Sequence, residues 1–234
     1  MSIEDKKKVM VYGPHLSLGT AHVLAFDPML AFDIETTGLS KNRDRITVTA
    51  IYDEEHELSR TFCFVELAGT EVVYRKDYLE IAEEFMQFLD DDDMLCAFNG
   101  VGFDIPFIQM QFNVSAERVQ RWVMKTLDIH QICKTVLAPK RTFGLNHVLG
   151  VNGFDVKTGD GLIAVKQAHA GLWDELKEYC MDDARLTYDV SCLNRILIPE
   201  GFAFRKANGG SVLQEHKRLF LCRDETGEVS FETK

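Results

Sequence analysis

A chain of 234 residues with 46% hydrophobic and 27% charged residues has the length for one medium domain with an appendage and the apolar content for a real core, so it is neither disordered nor fibrous. No run approaches the roughly 20 apolar residues needed to span a bilayer, and Lys6–Lys8 are not followed by a continuous apolar segment or a small-residue cleavage site, so the expectation is a protein without a membrane role, placed inside the cell in the cytoplasm or at the nucleoid. The formal charge of −11 argues against a protein that coats nucleic acid by neutralising it, yet leaves room for an enzyme that holds a few nucleotides.

Residues 1–28 have no clear period, and Asp27, although it sits in an Ala-Phe-Asp triplet, precedes Pro28 and reads as a turn residue. Met29 to Thr36 is strand-like, and Ile46–Tyr52 and Arg60–Val65 are further β-rich runs, which predicts three adjacent strands. Residues 78–89 have helical spacing, Met94–Phe98 reads as a short buried strand, and Ile105–Phe112, Ala116–Met124, Asp128–Leu137 and Phe143–Leu149 read as helices, the last stopped by Gly150. A long helix is predicted over Gly171–Leu197, and Leu219–Cys222 with Glu228–Phe231 is a candidate hairpin. Strands first and then strands alternating with helices give an α/β fold, a mixed sheet flanked by helices.

Charge is distributed unevenly along this order. Residues 76–94 carry Asp77, Glu80, Glu83, Glu84 and Asp90–Asp93 against Lys76, which reads as a solvated helix face. Residues 118–141 reverse the balance, with Arg118, Arg121, Lys125, Lys134, Lys140 and Arg141 facing only Asp128. This is either another solvated face or a track for phosphates, with Arg118, Arg121, Lys140, Arg141 and, in a later loop, Lys157 as its candidates. The six cysteines form no C-x-x-C pair and mostly lie in apolar runs, so they read as reduced core thiols, and the sequon at Asn113 reads as a chance match.

Three constellations carry chemistry. On the first strand Leu30, Phe32 and Ile34 point one way and Ala31, Asp33 and Glu35 the other, so two carboxylates share a face roughly 6.6 Å apart. That spacing suits a pair of divalent ions; an acidic wet face is the alternative. Second, Asn99-Gly100-Val101-Gly102-Phe103-Asp104 makes a sharp exit from the Met94–Phe98 run, with Asp104 opening a helix, either as its cap or as a ligand. Third, Leu172, Leu176, Tyr179, Asp183, Leu186, Val190 and Leu193 form one apolar stripe, with Glu175, Glu178, Asp182, Arg185 and Asp189 opposite. Asp182 then belongs to solvent, whereas Asp183 is aimed at the core and needs a metal, a proton or a partner cation.

An acidic strand pair, an Asn-Gly-x-Gly-Phe-Asp turn and a Tyr-x-x-x-Asp helix, in that order, resemble the three motifs of DEDDy-type 3′–5′ exonucleases, notably the exonuclease domain of family B DNA polymerases and its stand-alone relatives. The resemblance covers about residues 29–197 and implies a ribonuclease-H-like fold, with Asp33, Glu35, Asp104 and Asp183 holding two divalent ions, Mg²⁺ or Mn²⁺, and Tyr179 orienting the attacking water. A sister class places histidine where this chain has Glu178, so the tyrosine class fits better. Candidate substrate contacts are Thr36, Thr37, Gly38 and Leu39 after the acidic strand, together with Asn99 and Phe103. The implied partner is a single-stranded 3′ end, DNA favoured over RNA; a catalytically silent end-binding module and a structure-specific endonuclease are the alternatives. Residues 1–28 and 198–234 lie outside the resemblance and are left as an N-terminal extension and a C-terminal appendage for a protein partner.

Overall fold

The computed structural model describes residues 29–139, 144–156 and 161–198, together with the strands Phe202–Arg205, Ser211–Leu213, Leu219–Arg223 and Val229–Thr233. Asp27, Lys140, Arg141, Phe143 and Lys157 lie outside the described residues. The chain divides into two units, one formed by Pro28–Ile129 and Thr158–Asp189, the other including His130–Lys157 and Val190–Lys234.

The first unit is built on a five-stranded mixed sheet. Strands β1 (Leu30–Thr36), β2 (Ile46–Asp53) and β3 (Leu58–Cys63) pair antiparallel. The run read as one strand over Arg60–Val65 breaks at Phe64, whose N–H still bonds the Thr47 carbonyl of β2 at 2.9 Å while its carbonyl accepts the Arg75 N–H at 2.9 Å, and a separate hairpin follows, β4 (Val65–Ala68) with β5 (Glu71–Tyr74). Helix α1 (Tyr78–Asp91) leads to β6 (Leu95–Ala97), and α2 (Asp104–Gln111) and α3 (Ala116–Met124) lead to β7 (Thr126–Asp128). Both β6 and β7 are parallel additions, giving the order β3-β2-β1-β6-β7 with β1 central. The expected helix over Asp128–Leu137 is therefore shorter: Asp128 ends β7, helix α4 runs Ile129–Val136 and strand β8 is Leu137–Pro139.

Helix α5 (Leu145–Val151) passes through Gly150 rather than stopping at it. Helix α6 (Gly161–Ala170) has no counterpart in the sequence reading, because the residues it buries on its inner face are Ala164 and Ala168, which hydropathy scarcely marks. Helix α7 (Trp173–Ser191) is shorter at both ends than expected; Leu172 is exposed and β9 (Arg195–Ile198) takes the C-terminal part.

Period-two alternation on β1 divides the core. Leu30, Phe32 and Ile34 pack with Phe62 of β3 and with Phe85, Leu89, Phe107 and Trp122 of α1, α2 and α3. Each such residue contributes about 1.5–3 kcal/mol on burial. On β2, Val48 and Ala50 meet Leu176 and the small side chains Ala164, Ala168, Cys180 and Ala184, which let α6 and α7 approach the sheet closely.

In the second unit β10 (Phe202–Arg205) pairs with β8 and β11 (Ser211–Leu213), and β12 (Leu219–Arg223) pairs with β9 and β13 (Val229–Thr233). The Asn152 amide at the end of α5 donates to the Leu197 carbonyl and accepts from its N–H, both at 2.8 Å, which ties that helix to β9. Among the described residues no helix is long and apolar enough to cross a membrane. The six cysteines are thiols and not disulfides.

Candidate metal centre

The central strand positions the acidic pair. Asp33 stands opposite Ala50 and Glu35 opposite Val48 on β2, and the register slips between Glu35 and Thr36, which faces Ile46, so that Thr47 is the extra residue on β2. Thr47 Oγ1 donates to the Glu35 carbonyl at 2.9 Å and fixes that irregularity. Asp33 is half-buried and Glu35 is 8% exposed. Beyond them Thr36 Oγ1 donates to the Gly38 carbonyl at 2.6 Å, and Thr37 exchanges two hydrogen bonds with the Arg45 backbone, both 2.9 Å. Gly38 is a close-approach position, since a Cβ there would lie 2.6 Å from Asp44 Oδ2. Leu39 is 81% exposed at the tip of this turn, and His169 of α6 lies 3.3 Å from the Thr37 carbonyl.

The second turn leaves β6 with Asn99 in the left-handed region at φ 68°. Its backbone N–H donates to Asp128 Oδ1 at 3.0 Å, and that of Val101 to Asp128 Oδ2 at 2.9 Å. Gly100 admits no side chain, because a Cβ would stand 2.4 Å from Ala97 Cβ. Phe103 caps α2 and packs on the core. Asp104 is thus the first residue of the helix and not its cap. Its Oδ1 accepts the backbone N–H of Ile34 at 3.1 Å, which docks the carboxylate on β1 at the residue between Asp33 and Glu35. Burial, then the charge of Asp128 and more weakly that of Asp183, push the Asp104 carboxyl up to about 8.

The third element is α7. Asp183 is half-buried, whereas Asp182 is exposed and pairs with Arg185 at 3.5 Å, so the two adjacent aspartates diverge as their helix phase requires. Tyr179 is half-buried against the cluster containing Val48 and Ala50. Cys180, fully buried, donates its thiol to the Asp33 carbonyl and to Asp33 Oδ2, both at 3.5 Å. Donor atoms of Asp33, Glu35 and Cys180 all lie within 4.8 Å of one another. Burial, then the charges of Asp33, Glu35 and Asp183, push the Cys180 thiol well above its ordinary range.

The donor set fits a divalent cation. The charges of Asp33, Glu35 and Asp183 all act on Cys180 and that of Asp183 acts on Asp104, so carboxylate oxygens gather in one region; the Asp104 carboxyl is held near 8 by burial first and by neighbouring carboxylate charge second. Asp183 stands outside the tight group that Asp33 and Glu35 form with Cys180 but contributes to its field, whereas Asp104 is tied to the centre by the Ile34 N–H and by the charge of Asp183. Two residues of this centre escape the sequence reading: Cys180, taken as a core thiol, and Asp128, read as the start of a helix and as the one acid in a basic run. A carboxylate closing the short Thr126-Leu127 run is the one signal for Asp128.

The two charge runs meet each other. Arg118 binds Glu83 at 2.9 Å and Asp90 at 2.7 Å, Trp122 Nε1 donates to Asp90 at 2.8 Å, and Lys125 donates to the carbonyls of Asp90 and Asp92. The acidic run is therefore not simply a solvated face, and Arg118, expected on a phosphate track, is engaged by α1; Arg121 lies 3.9 Å from Asp90 and is largely exposed. Opposite charges on two helices packed on the same face of the sheet find each other before either finds a ligand.

No curated protein matches the chain. Among solved structures it is similar to that of the family B DNA polymerase from the hyperthermophilic archaeon Pyrobaculum calidifontis, at 18% identity and a TM-score of 0.48, over 68% of this chain and 23% of the polymerase chain. The sequence profile of the RNase_H superfamily matches residues 30–191, the span that holds β1, the Asn99–Asp104 turn and α7. With more than half of its length in that match, the chain belongs to the RNase H superfamily.

Proposed function

We propose that the chain is a DEDDy-type 3′–5′ exonuclease that removes nucleoside 5′-monophosphates from single-stranded 3′ ends, DNA in preference to RNA. The observation that carries this reading is the docking of the Asp104 carboxylate on the Ile34 N–H, between the two acids of β1. It joins the second motif to the first in a chain whose superfamily is known. The exonuclease domain spans residues 29–197, with 1–28 and 198–234 as appendages.

In this reading Asp33, Glu35, Asp104 and Asp183 hold the divalent ions. Bound Mg²⁺ or Mn²⁺ would supply a hydroxide from coordinated water and neutralise the leaving 3′ oxygen in an in-line displacement at phosphorus. The Tyr179 hydroxyl orients the attacking water by hydrogen bonding. The Thr36–Leu39 turn, Asn99 and Phe103 seat the terminal nucleotides, Leu39 by its exposed apolar side chain. Lys140, Arg141 and Lys157 are the proposed phosphate contacts further up the strand, and Arg121 the contact from α3.

The test uses 5′-labelled single-stranded DNA and RNA oligonucleotides with Mg²⁺ or Mn²⁺. A ladder of products shortened one nucleotide at a time, stopped by EDTA, is expected. Asp183→Asn abolishes the ladder and Asp182→Asn keeps most of it. One internal cut would assign the chain to the endonucleases, and binding without cleavage would make it an end-binding module. Activity undiminished in EDTA would sink the metal mechanism.

A further inference from the structure

The donor that stands out in the acidic centre is sulfur. Cys180 lies on α7 between Tyr179 and Asp183, and its fully buried Sγ is 3.5 Å from Asp33 Oδ2, with Glu35 completing a group whose donor atoms all lie within 4.8 Å. A thiol contributes nothing to Mg²⁺, which takes oxygen ligands in octahedral array. Thiophilic ions behave differently. In a tetrahedral site with metal–sulfur bonds of ~2.3 Å and metal–oxygen bonds of ~2.1 Å, sulfur and oxygen donors stand about 3.6 Å apart. The Cys180–Asp33 pair is already at that separation.

We infer that Asp33, Glu35 and Cys180 form a mixed oxygen–sulfur site for one thiophilic divalent ion, Zn²⁺, Co²⁺ or Cd²⁺. On binding, the Cys180 S–H bond breaks, its proton leaves to solvent, and the sulfur electron pair forms the bond to the ion. The site is then −3 from its ligands against +2 from the ion, and a water completes the coordination. Because first-row affinities rise from Mn²⁺ to Zn²⁺ and sulfur adds to that order, such an ion outcompetes Mg²⁺ at far lower concentration. The consequence for activity rests on the exonuclease reading: an ion held through sulfur occupies the acidic pair that hard ions need, so trace zinc would set the working fraction of the enzyme. The binding itself does not depend on that reading.

Co²⁺ tests it on the full chain, stripped with EDTA and returned to chelator-free buffer. Titration of the wild-type protein is expected to give a near-ultraviolet thiolate-to-cobalt charge-transfer band that saturates at one equivalent and yields to Zn²⁺. Cys180→Ser and Cys180→Ala abolish the band and weaken Co²⁺ binding at least about tenfold, the lower end of what a lost supporting residue costs a metal site. Cys192→Ser, which alters an exposed thiol, keeps it. Circular dichroism checks each variant. Should the Cys180 variants not fold, Asp33→Asn decides the matter through the thiolate band itself: it retains all six thiols, the midpoint of the band must move to at least about tenfold higher Co²⁺, and a band of unchanged midpoint overturns the site. A band that persists in Cys180→Ser, or no band in wild type, overturns the inference. A protein that shows the band but digests no nucleic acid upholds this site and refutes the exonuclease reading, so the two fail separately.

Discussion

Asp128→Asn isolates the turn that carries Asp104. Asp128 is 2% exposed, and its two carboxylate oxygens each accept one backbone N–H, from Asn99 and from Val101. Asparagine keeps one acceptor oxygen and replaces the other with an NH₂, so one of those N–H groups faces a donor. A hydrogen bond to a charged group contributes about 1.5–3 kcal/mol, and an unsatisfied buried N–H costs about 1–3 kcal/mol. Against this, removing the Asp128 charge relieves Asp104, whose carboxyl it helps to hold up. The net loss is about 2–4 kcal/mol. At ~2–4 °C per kcal/mol for a chain of this size, the melting temperature should fall by roughly 5–15 °C. Displacement of the Asn99–Asp104 turn by as little as about 1 Å should also lower cleavage by a factor on the order of 10². Thermal unfolding in EDTA reads the first effect and nucleotide release under saturating Mn²⁺ the second. A melting temperature within about 1 °C of wild type would refute the view that Asp128 organises this turn.

Four other outcomes are expected. Tyr179→Phe lowers turnover by roughly 10²-fold while Mn²⁺ affinity holds, because a positioned hydroxyl acts on the barrier and not on the ions; equal loss of metal affinity would make Tyr179 structural. Arg118→Ala costs about 1–3 kcal/mol of stability in denaturant melts and leaves the salt dependence of substrate binding unchanged, since that side chain is 17% exposed and bonded to Glu83 and Asp90. Neutralising Lys140, Arg141 and Lys157 instead flattens the salt dependence by about one unit per contact, and an unchanged slope would exclude them from the path. His56 is held above its ordinary pKa by its hydrogen bond to the Asp53 carboxylate and then by that charge, so its contribution is complete below about pH 6.5 and fades as pH rises through the raised value. The melting difference between wild type and His56→Ala should shrink accordingly, and a difference that grows with pH would reverse the sign of the argument.

Local patterning decided much of this protein. Alternation along Leu30–Thr36 sets Asp33 and Glu35 on one face of a strand, and the helical period around Tyr179 separates Asp183 from Asp182, because side-chain direction follows backbone period alone. The same logic found α1, α3 and the Met94–Phe98 strand within a residue or two. It failed where the signal is not apolar periodicity. Helix α6 buries alanines, β7 is three residues long, and the run after Arg60 divides at Phe64 because that residue's carbonyl turns from β2 to the Arg75 N–H. Only the tertiary structure decided which groups meet across the chain. The Ile34 N–H reaches Asp104 70 residues away, Cys180 reaches Asp33 across 147, and Asp128 holds the backbone of Asn99. It also decided that Arg118 belongs to Asp90 and Glu83, because the two charge runs are brought together by helices packed on the same face of the sheet, and a sequence records the charges of such helices but not the distance between them.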